Sequence, residues 1–239
     1  MTSYQELLGL GDHELIALIG GGGKSTLLFA LGNELAGRGK RVIVTTTTKM
    51  GREQALVAPT VCWSADTDCA LDALDGPGPV MLVTGGDEHK VTGPAPEVID
   101  GLFAESDADY IIVEADGSRG RPLKAPAAHE PVVPVTTTTV VVLIGVDAVG
   151  KPLATAAHRV EQAIAFSGLL PHHELTPADC AHILTHPRGI LRACPDGARV
   201  VVAITKVGSA EQATAAALRH RLSAHPRISD VVAIDMLPA

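Results

Sequence analysis

Short aliphatic runs, each closing on a small or polar residue, recur along the chain: Leu15 to Ile19, Arg41 to Thr46, Val80 to Thr84, Tyr110 to Glu114, Val140 to Gly145, Val200 to Thr205 and Val231 to Ile234. They are continuous rather than alternating, the pattern of strands covered on both faces. Between the first two, Leu27, Leu28, Leu31 and Leu35 recur at helical spacing, and Gly37 and Gly39 supply the stop. This strand, helix, strand unit predicts an α/β fold: a three-layer, mostly parallel sheet with helices on both faces, built as a single domain over residues 1–239. Residues 151–195 break the rhythm. No strand-like run occurs from Pro152 to His186, whereas Ala154 to Phe166 and Pro177 to Leu184 carry helical periodicity, so a helical excursion is expected there. Two threonine tetrads, Thr45 to Thr48 and Thr136 to Thr139, are too local to be a structural repeat.

Composition narrows the picture. A chain of 239 residues, 46% hydrophobic and 19% charged, is long enough for one ordinary core and is not of disordered type. Its net charge of -8 comes without any long basic run, which disfavours nucleic acid as a partner. The longest apolar run, Val140 to Val146, is far too short to span a bilayer. The N-terminal stretch MTSYQELLGLGDHE has no basic flank followed by an apolar segment, so a cytoplasmic, soluble protein is expected. Cys62, Cys69, Cys180 and Cys194 form no CxxC pair and are expected as free, mostly buried thiols with no disulfide framework.

The chemistry concentrates where the first strand meets the first helix, in Gly20, Gly21, Gly22, Gly23, Lys24, Ser25 and Thr26. Consecutive glycines let backbone N–H groups converge on one anion, and a helix N-terminus adds its dipole. Lys24 would reach the β- and γ-phosphates, and the Ser25 hydroxyl would ligate Mg²⁺. The full Walker A pattern is not met, because Leu18 stands where its first glycine belongs. The remaining G-x-x-G-K-S-T resembles the shorter loop of Mur-type ligases. A dinucleotide fingerprint fits worse: its third glycine would fall on Ser25, and the second strand ends in threonines with no acid for a ribose. The plain alternative is a glycine-rich turn with a solvated lysine.

A nucleotide site also needs an acid at the end of a nearby apolar strand to hold the metal. Glu114 is the first acid after the run Tyr110 to Val113, and Asp116 follows two residues on, on the same face if the strand continues that far. One would bind or orient the metal and the other would position a nucleophile. Thr46 and Lys49 close the second strand, where a hydroxyl could ligate Mg²⁺ and an ammonium could neutralise phosphoryl charge. Beyond Asp116 a Gly/Pro-rich loop gathers Ser118, Arg119, Arg121, Lys124, His129 and Glu130, a composition suited to an anionic second substrate. Each of these also has a bland reading, as a polar strand end or a solvated loop.

Two other signals are weaker. His172, His173, Cys180, His182 and His186 invite a metal reading, but HExxH is absent and Pro187 ends the segment. The stretch ITKVG resembles the N-K-x-D base-reading element of GTPases only in part, with Thr205 in place of Asn and Gly208 in place of Asp, and does not support guanine selectivity.

Taken in order, GGGGKST, VTTTTKM, VTGG, VEADGSRGRPLKAPAAHEPVVP, GVDAVGKPL and HPRG resemble the selenium-dependent hydroxylase accessory proteins, the YqeC family, over nearly the whole chain. The most specific piece is EADGSRGRPLKAPAAHEP; the glycine loop is shared with many nucleotide binders. The resemblance implies a P-loop NTPase-like fold and an accessory role in maturing molybdenum-dependent hydroxylases, with the client enzyme or its cofactor machinery as partner. Combined with the loop, it leads to a Mg²⁺-dependent protein that binds ATP or GTP and hydrolyses it or transfers its phosphoryl group. Lys24, Glu114, Asp116 and Lys49 are the expected catalytic groups, and Ser25, Glu114 and Thr46 the expected metal ligands. A non-catalytic nucleotide-dependent scaffold, a Mur-like kinase or ligase acting on a small anion, and a fold that only docks partners are the alternatives.

Overall fold

A computed structural model describes residues 2–64 and 67–235 of the chain. All seven expected aliphatic runs are strands, and an eighth joins them. In chain order they are β1 (Glu14–Gly20), β2 (Val42–Thr46), β3 (Thr60–Trp63), β4 (Val80–Val83), β5 (Tyr110–Glu114), β6 (Thr139–Gly145), β7 (Arg199–Thr205) and β8 (Asp230–Ile234). They form an eight-stranded sheet in the order β8-β7-β6-β1-β5-β2-β4-β3. The pairings β1 with β5, β5 with β2, β2 with β4, β4 with β3 and β7 with β8 are all parallel. Every residue of β2, β4, β5 and β6 is buried, so these strands are covered on both faces, which is why their sequences are unbroken Val/Ile/Leu runs. The unexpected strand, β3, lies at the sheet edge and is only partly buried.

By its internal contacts the chain divides into two compact units. The first comprises residues 1–18, 25–117 and 132–139. Beside its strands it contains most of the helix Lys24–Ala36, the helix Pro96–Glu105 and a small antiparallel ribbon of Lys49–Gly51, Lys90–Thr92 and Gly85–Gly86. In this unit the second threonine tetrad is structural: Thr136 binds Asp100, Thr137 donates to Pro134 O, and Thr138 and Thr139 bind Glu14. The expectation of four free cysteines is corrected here, because Cys62 and Cys69 form a disulfide with Cα atoms 5.9 Å apart. The end of β3 and the first turn of the helix Asp68–Asp72 bring them together, a return of the chain that a seven-residue spacing does not announce.

The second unit comprises residues 19–24, 118–131 and 140–239. Its helices include Val160–Ser167, Pro177–Thr185 and Gln212–Leu222. The helix Pro177–Thr185 starts on a capping box in which the Thr176 hydroxyl accepts from Asp179 N, with proline in the first turn. The continuous helix expected over Ala154 to Phe166 is split. Leu153–Ala156 is a single turn, Ala157–His158 is a short strand pairing in parallel with Leu123–Lys124, and Arg159 at φ 63° re-aims the chain into Val160–Ser167. Periodicity reports one face of a helix and carries no information about a pairing with residues far back in the chain. Cys180 and Cys194 are free and buried, and burial pushes their thiols up to about 12 and about 11. Among the described residues no helix is long and apolar enough to cross a membrane.

Candidate active site

In the first unit, β5 lies between β1 and β2, and the register sets Glu114 beside both Leu18 and Thr46. Glu114 therefore sits at the carboxyl end of the central strands, where open α/β sheets bind ligands. The Thr46 hydroxyl donates to Glu114 O at 2.8 Å and Thr47 N donates to the same oxygen at 3.1 Å, which holds the backbone of Glu114 in place. The Glu114 carboxylate accepts from the Ser25 hydroxyl at 2.7 Å. Gln54 donates from its side-chain amide to Ser25 Oγ at 3.3 Å while its Oε1 accepts from Gly51 N. Ser25 and Glu114 are thus brought together as expected. Thr46 reaches the site through the backbone of Glu114. Lys49 lies exposed on the ribbon, paired in register with Thr92, and its charge acts on Asp87. The strand ends at Glu114, so Asp116, 1% exposed, lies beyond it rather than on its face. Gln54 belongs to no motif, and nothing in the sequence singles it out.

In the second unit, the glycines do two different jobs. Gly20, Gly22 and Gly23 have φ of 99°, 88° and 114°, values that residues with a side chain rarely adopt. A Cβ on Gly20 would run into the backbone of Leu143, and one on Gly22 into the backbone of Gly145. Gly21 N and Gly22 N are spent on Leu143 O and Arg121 O at 2.9 and 3.1 Å, so these two amides fix the loop. The amides at the start of the helix Lys24–Ala36 are of the kind that lack intrahelical acceptors and bind anions. Lys24 is 3% exposed and donates from Nζ to Gly20 O at 2.6 Å. The loop is also anchored by the buried Thr205, whose hydroxyl donates to Gly22 O at 2.5 Å. Replacing Thr205 with valine is expected to cost about 1–3 kcal/mol, since it leaves that buried carbonyl short of a donor. Urea unfolding would measure the loss, and an unchanged midpoint would show that the anchor contributes nothing.

The loop beyond Asp116 is more rigid than its composition suggests. Lys124 is fully buried and 3.1 Å from Glu130, and Arg159 grips the same carboxylate through two bonds of 2.9 and 2.8 Å. Burial alone would raise the Glu130 carboxyl, but the bonds and charges of Arg159 and Lys124 outweigh it and bring it down to about 2. Arg121 donates to Ala154 O and Thr155 O, Ser118 is buried, and Arg119 and His129 are exposed. Elsewhere, His173 bonds Asp179, His182 contacts Phe166 O, and His186 stacks on the Phe166 ring. Lys206, at φ 60°, and Lys151 both bind Asp147.

The donor types suit the expected ligands. A serine hydroxyl and a carboxylate are the hard oxygen donors Mg²⁺ prefers, and the amides that open the helix Lys24–Ala36 are the kind of donors a phosphate accepts from. Residues 16–161 match the family described as YqeC protein. The chain is 35% identical over 208 residues to the protein YqeC of Escherichia coli (strain K12), covering 84% of this chain and 79% of that one. A structural comparison finds the hydrogenase maturation factor HypB from Archaeoglobus fulgidus at 18% identity and a TM-score of 0.41, covering 97% of this chain and 85% of that one.

Proposed function

The chain belongs to the YqeC family, and on that premise we propose that it is a Mg²⁺-dependent nucleotide-binding protein that serves in the maturation of molybdenum-dependent hydroxylases. The observation that carries the reading is the Ser25–Glu114 hydrogen bond of 2.7 Å directly after the glycine loop, a hydroxyl and a strand-end carboxylate in the pairing that a nucleotide's metal needs. Lys24, with the amides that open its helix, would hold the phosphates; Ser25 and Glu114 would hold the metal. Bound there, Mg²⁺ would neutralise phosphate charge. Asp116 is proposed to orient water or a small acceptor and Lys49 to neutralise developing phosphoryl charge, and the family resemblance supports the hydroxylase client, selenium-dependent in its most specific form.

Calorimetric titration of the wild-type chain and Lys24→Ala with ATP and with GTP, each with Mg²⁺, tests the reading. Saturable binding by the wild type, weakened at least tenfold in the variant, is expected from the loss of a charge-assisted contact. No binding of either nucleotide by the wild type would overturn it. Glu114→Gln then separates chemistry from switching: retained binding with lost turnover marks an enzyme, whereas a wild type that binds without turnover, even beside its client, marks a scaffold.

A further inference from the structure

The Cys62–Cys69 disulfide of the first unit joins two elements that each have attachments of their own. On one side Cys62 lies in β3, paired in register with Leu82 of β4; Trp63 pairs with Val83, and Ser64 N donates to Val83 O at 2.9 Å. On the other side Cys69 lies in the first turn of the helix Asp68–Asp72, which buries Ala70 completely and is followed by the buried Leu74. None of these attachments involves a sulfur. The bridged residues are seven apart in sequence, and the constraint that a disulfide places on the unfolded chain shrinks with the loop it closes.

The two cysteines differ in access. Cys62 is 2% exposed, whereas Cys69 is an exposed residue, so a thiol arriving from solvent meets the bond on the Cys69 side. Cys180 and Cys194 are buried and free, and burial holds their thiols above the usual range, which leaves them poor competitors in thiol exchange. Structural staples belong above all to small domains that cannot build a sufficient core. A chain of 239 residues around an eight-stranded sheet, with two of its four cysteines left as thiols, is not of that kind. An accessible bond between elements that are anchored without it has the character of the labile, redox-responsive disulfides.

We propose that Cys62 and Cys69 form a reversible redox site, opened in the folded chain by a low-molecular-weight dithiol that attacks Cys69 Sγ. One thiolate of the dithiol bonds to Cys69 Sγ; the S–S bond breaks, and Cys62 Sγ leaves with the electron pair and takes a proton. The second thiolate of the dithiol then attacks the dithiol's own sulfur in the mixed disulfide, releasing Cys69 as a thiol. The protein pair gains two electrons and two protons, which the dithiol loses as it closes to a cyclic disulfide. The site makes no use of a nucleotide and stands or falls separately from the function proposed above. Its test treats the full chain with dithiothreitol, follows the fold by circular dichroism, and counts thiols after acid quenching and denaturation. The count is expected to rise from two to four with the spectrum unchanged, and oxidised glutathione should return it to two. In Cys62→Ala the remaining Cys69 thiol should react with dithiodipyridine at least about tenfold faster than the Cys62 thiol left in Cys69→Ala, because only the first is exposed. A bond that resists dithiothreitol until urea is added, or whose reduction always takes the dichroism with it, would overturn the proposal and mark a structural staple. Equal rates in two folded variants would overturn the assigned point of attack.

Discussion

Glu130→Gln is expected to lower folding stability by about 3–5 kcal/mol, the cost of breaking a buried ion pair by removing one partner. Lys124 has no exposed surface, and both it and Arg159 form ion pairs with this carboxylate. An amide of the same shape keeps the packing and removes only the charge, so the loss reports electrostatics. The pH dependence has a definite sign. The Glu130 carboxyl is lowered from 4.5 to about 2 on folding, so its contribution is complete above 4.5 and fades as the pH falls from there towards 2. The gap between parent and variant should therefore narrow over that window and stay constant above it. Urea denaturation at neutral pH and at several acid values would show this, and a gap below about 1 kcal/mol, within the range of exposed ion pairs, would mean that the triad is solvated.

A comparable loss is expected for Gly22→Ala, for two additive reasons. Left-handed backbone costs a residue with a Cβ about 1–2 kcal/mol, and forcing the methyl against the Gly145 backbone costs roughly 1–3 kcal/mol more. Gly39→Ala is the control. It has a similar φ of 78° but nothing within 4 Å of the added carbon, so it should pay only the first term. Under the proposed function, Gly22→Ala should also lose the rise in melting temperature that a nucleotide confers, while Gly39→Ala keeps it. Equal stabilities for the two variants would show that the close approach at Gly22 relaxes freely.

What could be read in advance followed from covalent neighbours and periodic burial. Strands β1, β2 and β4 to β7 were legible because strands buried on both faces leave continuous Val/Ile runs, and the edge strand β8 keeps such a run in Val231 to Ile234 although Asp230 and Ala233 are exposed. Strand β3 was not, being four residues at an edge with Pro59 just before it. Ser25 and Glu114 could be named as partners because a helix start and a strand end at the same sheet edge obey a general rule. Gln54 could not, since it arrives through a ribbon of two- and three-residue strands that have no readable period. The loop residues Lys124 and Glu130 were legible as charges, but their partner Arg159 lies 29 residues past Glu130 and beyond an unforeseen strand. Cys62 and Cys69 failed for a similar reason, because only the folded chain shows that their Cα atoms lie 5.9 Å apart.

The resting contact of Lys24 with Gly20 O bears on when entropy is lost. A lysine side chain carries about 2 kcal/mol of rotamer freedom. Here the ammonium is already buried against the loop that would receive the phosphate, so most of that freedom disappears as the chain folds. A ligand arriving later exchanges one oxygen acceptor for another and orders little new. Its association should accordingly show a smaller entropic penalty than a lysine swinging in from solvent would impose, and stability, rather than affinity, bears the cost of keeping the site ready.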